Sequence, residues 1–246
     1  MFHSNIDIKE GAFIVSDAHY SSSRPQLLEF IKDINSKKLQ PTQLIFLGDI
    51  FDALFGGVVN TIKKNQEMIV LLNNISQDIE LIYIEGNHDY NLKNIFPYAK
   101  IFPITKQPLL CKYKNKKVIL AHGDFGNDIG YKLYTSIIRN KIVLFTLNII
   151  NNLFNNLILK KLDFYLNQKD DCNEFTNFDR YISKRIESKF ECDYFIEGHY
   201  HQNKMIKFND YIYINLGVFA CNQRFFIVKS VEDKELLEEN IYSKEI

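Results

Sequence analysis

The sequence lacks several features that mark nucleic-acid-binding or secreted proteins. Its 30 basic residues are balanced by 30 acidic residues, so the net charge gives no reason to expect nucleic acid as a partner. It also contains no concentrated basic stripe with interleaved aromatic side chains. The first residues do not follow the basic-then-apolar order of a secretory signal, which favours a cytoplasmic protein.

Cysteine is sparse, and the four cysteines form no CxxC pair. They are Cys111, Cys172, Cys192 and Cys221. Disulfide frameworks are typical of small secreted domains. This chain has 246 residues, enough for one large domain or for one domain with an inserted subdomain. We therefore expect four free thiols in a reducing cytoplasm.

Five short apolar segments are each followed by a cluster of Asp, Asn or His. The segments are residues 12–15, 44–47, 81–84, 118–121 and 194–197. The clusters are Asp17-Ala18-His19, Gly48-Asp49-Ile50-Phe51-Asp52, Gly86-Asn87-His88-Asp89, His122-Gly123-Asp124 and Gly198-His199-Tyr200-His201. Each apolar run is typical of a buried strand. Of the six histidines in the chain, only His3 lies outside the clusters, and we expect it in a disordered end.

The order of the elements predicts an α/β sandwich with mixed sheets. Helical patterns begin near Pro25 and extend from 58 to 75, so strands alternate with helices early in the chain. Hairpins are expected late, including 205–208 with 211–215. We expect a short lead-in over 1–11 and a short peripheral element over 231–246. Ligands of such folds lie beyond the carboxyl ends of strands, where all five clusters fall.

The residue types in the clusters suit a site with two divalent metal ions. Two cations about 3.5–4 Å apart can clamp a phosphoryl group, and they need a bridging carboxylate with further anionic or neutral ligands. Mixed Asp, Asn and His ligands suit Mn, Fe or Zn, whereas a set of oxygen ligands alone would suit Mg or Ca better. Taken singly, a cluster is also compatible with a helix cap or a turn. Five of them at strand ends favour the metal site.

The order D-x-H, GD-x-x-D, GNHD, HGD and GH-x-H, over residues 16–201, resembles the calcineurin-like metallophosphoesterases. The resemblance implies a four-layer αββα sandwich. It implies that one metal is held by Asp17, His19, Asp49 and His201. It implies that the other is held by Asp49, Asn87, His122 and His199, with Asp49 bridging. His88 would face the substrate phosphate, Asp89 would orient His88, and Asp52 and Asp124 would support the site.

The stretch between the last two motifs is longer than a minimal fold needs. We expect residues 125–189 to form a helical cap inserted into a core of residues 1–124 and 190–246. Residues 142–159 carry no charge, but they contain five asparagines, which makes a membrane-spanning helix improbable. Two interpretations stay open. One is a helical hairpin packed on its own domain, and the other is an apolar lid, including Leu153 and Phe154, that holds an acyl chain or rests on a membrane.

One branch of the family has such a cap, and its members hydrolyse the pyrophosphate of UDP-2,3-diacylglucosamine in lipid A biosynthesis. The sequence is similar to this branch in length, in its first two motifs and in the position of the cap. Asp128 and Tyr131 resemble the D-x-x-Y that contacts the substrate in that branch. The resemblance implies a lipid-linked nucleotide substrate, UMP and 2,3-diacylglucosamine 1-phosphate as products, Mn as the usual metal, and contact with the inner membrane surface.

The sequence departs from that branch at two positions. The branch commonly has Arg after the metal-binding Asn, where this chain has His88, and it usually has Thr at the position of Tyr200. An alternative is therefore a metallophosphoesterase for a soluble phosphomonoester, phosphodiester or nucleotide. A third alternative is a non-catalytic scaffold of the same fold. That alternative predicts missing ligands, and every motif is complete.

Overall fold

Two six-stranded sheets make up the centre of the computed structural model, which describes residues 2–125, 129–186, 190–230 and 236–243. The first sheet has the order β14 (Leu237–Ile241), β13 (Arg224–Val228), β2 (Phe13–Val15), β3 (Leu44–Leu47), β5 (Leu81–Ile84) and β7 (Lys100–Phe102). The second has the order β1 (Phe2–Asp7), β8 (Leu109–Tyr113), β9 (Lys116–Ala121), β10 (Tyr194–Glu197), β12 (Ile212–Asn215) and β11 (Lys204–Lys207). A small parallel pair joins β4 (Leu54–Phe55) to β6 (Asp89–Tyr90).

Helices cover the outer faces of the sheets and form the region between β9 and β10. They are α1 (Gln26–Asn35), α2 (Val59–Lys64), α3 (Gln66–Asp78), α4 (Ile129–Ile138), α5 (Lys141–Leu153), α6 (Leu157–Gln168), α7 (Phe178–Ile186) and α8 (Phe219–Asn222). Both sheets are mixed. Strands β2, β3, β5 and β7 run parallel, as do β9, β10 and β12, whereas the pairs β13–β2, β13–β14, β8–β9 and β11–β12 are antiparallel.

The alternation of side chains along each strand produces the layers. Phe46 of β3 packs with α1 and α3 on the outer face of the first sheet, while its neighbour Ile45 packs between the sheets. In the second sheet, Ile196 faces the space between the sheets, and Phe195 faces Ile182 of α7 on the outside. The result is the predicted four-layer αββα sandwich, in which the central strands are buried on both faces and therefore apolar throughout.

Three predicted elements differ in detail from those observed. Residues 2–7 are not part of a loose lead-in, because they form β1, which contains His3 and pairs in parallel with β8. The helix expected over 58–75 is two helices that meet at Asn65, whose side chain amide donates to the carbonyls of Ala53 and Thr61. The tail contributes an edge strand, β14, to the first sheet.

Helices α4, α5 and α6 project from the sandwich and leave many apolar side chains exposed. They contact the core through a small cluster in which Leu144 packs with Val58 and Tyr90. Helix α7 instead packs on the second sheet, so the division of the chain at 125 and 189 stays a prediction. Within the described residues no single helix has the length and apolar composition of a membrane span. Helices α4 and α5, bent by 60°, meet that criterion only as a pair.

The expectation of four free thiols is wrong. Cys172, in the segment after α6, forms a disulfide with Cys221 of α8, with 5.9 Å between the Cα atoms. Cys111 and Cys192 are free and buried. The two bonded cysteines are 49 residues apart in sequence, and it is the folding of the inserted helices back onto the core that brings them together.

Candidate metal centre

All five polar clusters meet at one edge of the sandwich. Asp17, Asp49 and Asn87 follow parallel strands β2, β3 and β5 of the first sheet, and His122 and His199 follow β9 and β10 of the second. Because parallel strands end at the same edge, a residue just beyond each strand lies next to its counterparts. The site therefore lies across the junction of the two sheets.

The backbone at this edge adopts a conformation that side chains other than glycine rarely tolerate. Five candidate ligands have positive φ angles. They are Asp17 (51°), His19 (44°), Asp49 (52°), His199 (64°) and His201 (63°). Residues in this region cost free energy unless the surrounding structure fixes them, and they concentrate at functional sites. The fold therefore maintains backbone strain at the residues that the sequence marks as ligands.

Two glycines of the motifs are required because the loops approach one another closely. A Cβ atom on Gly86 would overlap the side chain of Asp49, and one on Gly198 would overlap Ser16 Oγ and the carboxylate of Asp17. The GNHD loop therefore lies directly on the GD-x-x-D loop, and the GH-x-H loop lies directly on the D-x-H segment. This packing brings ligands from distant parts of the chain into one site.

Asp17, His19 and His201 form one candidate metal-binding group, called the Asp17 group below. Their possible ligand atoms all lie within 4.8 Å of one another. His201 Nε2 is 3.1 Å from Asp17 Oδ1. Burial alone would raise the pKa of Asp17, but the His201 ring more than offsets this and holds that pKa below its ordinary value. The carboxylate is thus kept ionised, as a ligand must be.

The surroundings of His19 fit a metal ion. This side chain is fully buried, and neither ring nitrogen has a hydrogen-bond partner among the residues that the structure describes. Its nearest carboxylate oxygen, on Asp52, is 3.6 Å from Nδ1. A buried polar group without a partner costs free energy. A cation coordinated by an imidazole nitrogen would remove that cost, which is why we regard the residues as suited to the metal.

Asp49, His122 and His199 form a second group, and Asn87 lies next to it; together these four residues are called the Asp49 group below. His122 Nε2 is 3.4 Å from Asp49 Oδ2 and 3.2 Å from Asn87 Oδ1. The two histidine rings meet edge to face with centroids 4.9 Å apart. Burial and the neighbouring His122 lower the pKa of His199 to about 3, so His199 is a neutral imidazole with a free lone pair.

His88, Asp52 and His19 form a third group that the sequence did not predict as such. His88 is partly exposed and faces the space in front of the two other groups, with Nε2 4.0 Å from Asp49 Oδ2. Its backbone N–H donates to Asp49 Oδ1 at 2.8 Å. His88 thus lies beside the candidate ligands and presents a ring nitrogen towards them.

Backbone carbonyl groups determine which nitrogen three of the histidines present. Nδ1 of His88 lies 2.9 Å from the carbonyl oxygen of Asp52, and Nδ1 of His122 lies 2.8 Å from that of Leu47. For His201 the partner is the carbonyl of Asp171, at 2.6 Å. A carbonyl can only accept a hydrogen bond, so Nδ1 carries the proton in each ring. Nε2 is therefore the nitrogen directed at the site.

The carboxylate of Asp89 does not contact His88, contrary to the sequence-based expectation. It accepts hydrogen bonds from the backbone N–H groups of Asp49, Ile50, Phe51 and Gly86 and from the hydroxyl of Tyr83. Burial and the Asp49 carboxylate raise its pKa to about 7, and the five donors oppose that rise by favouring the ionised form. Asp89 fixes the two loops that carry Asp49 and Asn87.

The predicted substrate-contacting residues are only partly described. Asp128 lies outside the described residues. Tyr131 of α4 donates its hydroxyl to Asp124 Oδ2 at 3.1 Å, so the cap touches the HGD motif at this point. Arg139, at the end of the same helix, donates to the carbonyl of Gly86 at 2.8 Å. Its Nη2 also lies 3.5 Å from Asp124 Oδ2, and no motif in the sequence marked Arg139, because it lies outside the five clusters.

A largely apolar cavity of about 440 Å³ lies between the cap and the candidate metal centre. Asp52, Asn87 and His88 line the part that belongs to the centre. The cap contributes Tyr131, Tyr134, Ile138, Leu144, Leu147, Asn148, Asn151, Ile158, Leu159, Leu162, Tyr165 and Leu166. The core completes it with Phe55, Val58 and Tyr90. Its volume falls in the range typical of small-molecule sites.

The chain belongs to the calcineurin-like phosphoesterase family, whose family model matches residues 12–203. It is therefore a metal-dependent phosphoesterase. The matched region contains all five motifs and the residues of the Asp17 and Asp49 groups, and members of the family use divalent metal ions.

The chain is also similar to named relatives and to a solved structure. The chain is 26% identical over 207 residues to a UDP-2,3-diacylglucosamine hydrolase of Histophilus somni strain 129Pt, covering 78% of this chain and 85% of that protein. It is 30% identical over 138 residues to the enzyme of the same name from Pseudomonas fluorescens strain SBW25, covering 54% and 55%. Among solved structures it is similar to Yfce, a phosphoesterase from E. coli, with a TM-score of 0.47, 13% identity and coverage of 94% and 98%.

Proposed function

We propose that this protein hydrolyses the pyrophosphate of UDP-2,3-diacylglucosamine, giving UMP and 2,3-diacylglucosamine 1-phosphate for lipid A biosynthesis. The observation that carries the proposal is the apolar cavity that has His88 and Asn87 in its lining. A substrate with acyl chains on one side of the scissile bond needs both a phosphoryl site and an apolar space next to it. The relatives named above support the same substrate.

The proposed ligands divide between two divalent cations, for which Mn is our choice. Asp17, His19 and His201 serve one ion, Asn87, His122 and His199 serve the other, and Asp49 serves both. When bound, such ions polarise the phosphoryl group and lower the pKa of water. The chain itself supplies the carboxylates of Asp17 and Asp49 and four imidazole rings, of which those of His122 and His201 direct Nε2 at the site.

His88 is the proposed catalytic residue that is not a metal ligand. Its Nδ1 is occupied by the carbonyl of Asp52, so Nε2 is the atom that meets the substrate. From this position an Nε2–H group would donate a hydrogen bond to a phosphoryl oxygen and thereby stabilise the charge that develops there. Tyr131 lines the same cavity and, with Asp128, is proposed to contact the sugar-phosphate part of the substrate.

The outer surface of the cap supports peripheral contact with the cytoplasmic face of the inner membrane. Leu153 and Phe154 are 76% and 64% exposed, and within the described structure they are not among the cavity-lining residues. They lie at the α5–α6 junction, with Ile142 and Phe145 of α5 also exposed. An exposed apolar patch of this kind marks a binding surface, and a lipid substrate resides in a membrane.

A soluble phosphodiester or nucleotide is the second candidate substrate. His88 favours it, because the UDP-2,3-diacylglucosamine branch commonly carries Arg at this position. In that case the apolar cavity would be a packing feature of the cap, and the enzyme would turn over small diesters without preference for acylated substrates.

The deciding experiment compares hydrolysis of UDP-2,3-diacylglucosamine with hydrolysis of bis-p-nitrophenyl phosphate, in Mn²⁺ and detergent. Rapid release of UMP from the lipid is expected. Replacing Leu147 or Leu162, which line the cavity, by Ser should lower lipid turnover about tenfold or more. The reason is that burying a leucine contributes about 1.5–3 kcal/mol. Turnover of the small diester should not change.

Leu153→Ser with Phe154→Ser is the matched control, since these residues are apolar and lie in the same cap but outside the cavity. In detergent this control should retain lipid turnover. Hydrolysis of only the small diester by the wild-type protein would reject the lipid substrate and favour the second candidate. Equal loss of both activities in the cavity variants would also count against an acyl-binding cavity.

A further inference from the structure

Helix α7 places an arginine against two loops that carry candidate ligands. The side chain of Arg185 is 12% exposed, and the carboxylate of Glu197 that it meets is fully buried. Nη1 donates to Glu197 Oε1 at 2.7 Å, and Nη2 donates to Oε2 at 3.2 Å. Such a bidentate ion pair fixes the relative orientation of the two side chains as well as their distance. Glu197 is the last residue of β10, two positions before His199.

The same guanidinium group also reaches the loop after β9. Nη2 donates to the carbonyl oxygen of Gly123, the residue that follows His122, at 2.7 Å. The hydroxyl of Tyr200, which follows His199, donates to the same carbonyl at 3.2 Å. One cation therefore connects the backbone beside one candidate histidine ligand to the strand end beside the other.

Aromatic rings hold the guanidinium group in place. It lies 4.6 Å from the ring centroid of Phe125 and 5.3 Å from that of Tyr200. Tyr213 donates its hydroxyl to Glu197 Oε1 at 2.7 Å, so the carboxylate has a further partner. A buried ion pair with these additional hydrogen bonds has a defined geometry, which a solvent-exposed pair lacks.

We propose that Arg185 is a positioning residue for the metal ion held by the Asp49 group. The proposal rests on the proposed function only for the assignment of His122 and His199 as ligands to one ion. The hydrogen bonds of Arg185 described above are to the Glu197 carboxylate and to the Gly123 carbonyl. It acts by fixing the spacing of the two loops, and with it the spacing of the two rings.

Other side chains position the Asp17 group, so loss of Arg185 should weaken the binding of one ion only. His201 is held by the carbonyl of Asp171, and the Asp171 carboxylate pairs with Arg24 at 2.5 Å. Arg185 lies in α7 and Arg24 lies in the segment between β2 and α1, and their side chains bind different loops. Loss of Arg185 should weaken binding at the Asp49 group and leave binding at the Asp17 group intact.

The test measures Mn²⁺ binding to metal-free protein by calorimetry, with metal analysis after dialysis. The main variant combines Arg185→Gln with Glu197→Gln, which removes both charges and so leaves no buried carboxylate without a partner. The wild-type protein should bind two ions. In the variant one dissociation constant should rise about 10–100-fold, the range found for residues that orient metal ligands, and the other should not change. Arg180→Gln, an exposed change on the same helix, is the matched control.

Two backgrounds identify the ion that is weakened. In a His201→Ala background, which damages the Asp17 group, Arg185→Gln with Glu197→Gln should raise the dissociation constant of the remaining ion by the full factor. In a His199→Ala background, which damages the Asp49 group, the same two substitutions should leave the dissociation constant of the remaining ion unchanged. Unchanged constants in the main variant, or equal weakening of both ions, would overturn the proposal.

Arg185→Lys is the milder variant to use if the protein with Arg185→Gln and Glu197→Gln does not fold. It keeps the positive charge but not the bidentate contact with Glu197, and it should weaken binding of the same ion. A folded lysine variant with both constants at wild-type values contradicts the proposal. Because metal binding is the readout, failure to hydrolyse the lipid substrate would reject the proposed function without affecting this result. A wild-type protein that binds fewer than two ions would instead reject the ligand assignment itself.

Discussion

Individual side chains at the centre are oriented by backbone groups more than by one another. His88 shows the consequence for activity, because its ring is fixed by the carbonyl of Asp52 and its hydrogen bond to Asp49 comes from the backbone N–H, which a substitution retains. His88→Ala should therefore retain both metal ions and reduce turnover of a small phosphodiester about 10²–10⁴-fold, the usual contribution of a positioned proton donor. Metal analysis together with steady-state kinetics tests this.

His88→Arg is the informative companion variant, since arginine also presents a donor to phosphate and occurs in the related branch. It should recover part of the lost turnover. Normal turnover by His88→Ala would show that the proposed role is wrong, and loss of metal in that variant would assign His88 to coordination instead.

Asp89 contributes to stability and to the shape of the site, because its carboxylate accepts four backbone N–H groups and one tyrosine hydroxyl. In Asp89→Asn an amide NH₂ would face some of these donors. We expect the free energy of unfolding to fall by about 2–4 kcal/mol, as for other buried groups that lose their partners. Denaturant unfolding measures it.

Asp210→Asn serves as the reference for that measurement, because Asp210 is exposed in the turn between β11 and β12. It should change the free energy of unfolding by less than about 0.5 kcal/mol. Equal effects of the two substitutions would contradict the buried role of Asp89.

The convergence of the candidate ligands could be predicted from sequence, whereas the groups that orient them could not. Each ligand directly follows an apolar run, so strand geometry alone brings them to one edge. The partners of His88 and His201 are the carbonyls of Asp52 and Asp171, and a backbone carbonyl has no signature in a sequence. For the same reason the wrong partner was expected for Asp89. The metal and catalytic roles of these residues stay a prediction.

At the scale of the element, strands were easier to predict than helices. Strands β3, β5 and β10 have the predicted bounds, because a strand buried on both faces is a continuous apolar run between polar ends. The helix boundary at Asn65 was missed, since the Asn65 side chain bonds to the carbonyl of Ala53, which lies outside both helices. Leu153 and Phe154 were expected in an acyl-holding or membrane-resting lid. They lie on the outer surface and not in the cavity. This could not be predicted, because a helix pattern does not give the rotation of the helix against its neighbours.

The disulfide ties the segment after α6 to α8, and both of its cysteines are exposed. The bond closes a loop of 49 residues, which in the loop-entropy account stabilises the folded state by about 2–4 kcal/mol. A thiol reductant should lower the melting temperature of the wild-type protein. Cys172→Ser with Cys221→Ser should show the lower value with and without reductant.

Mass spectrometry after alkylation under denaturing, non-reducing conditions provides the direct control. It should find two alkylated cysteines in the wild-type protein, Cys111 and Cys192. Four alkylated cysteines, or an identical response of wild type and double variant to reductant, would contradict the bond.

At the scale of the whole molecule, the candidate ligands link the two sheets. Asp17 and Asp49 extend from the first sheet and His122 and His199 from the second, so a bound ion would add a link between layers that also meet through apolar packing and through hydrogen bonds such as that of His122 to the carbonyl of Leu47. An ion present at about 100 times its dissociation constant stabilises the folded state by about 2.7 kcal/mol. Removing two ions with a chelator should lower the melting temperature by roughly 10 °C or more.

Mn²⁺ added after the chelator should restore the melting temperature. Asp49→Ala, which removes the ligand proposed to serve both ions, should melt at the lower temperature whether or not the chelator is present. A wild-type melting temperature that does not respond to chelation would contradict a stabilising metal centre between the sheets.

The order of the strands also has a consequence for synthesis of the chain on the ribosome. Strand β2, residues 13–15, pairs with β13, residues 224–228, so its partner strand is synthesised about 200 residues later. Asp17 and Asp49 likewise leave the ribosome well before His199 and His201. The first sheet and the ligand set are therefore both incomplete on the nascent chain. We therefore expect the complete metal centre, and phosphoesterase activity with it, to form only after His199 and His201 have been synthesised.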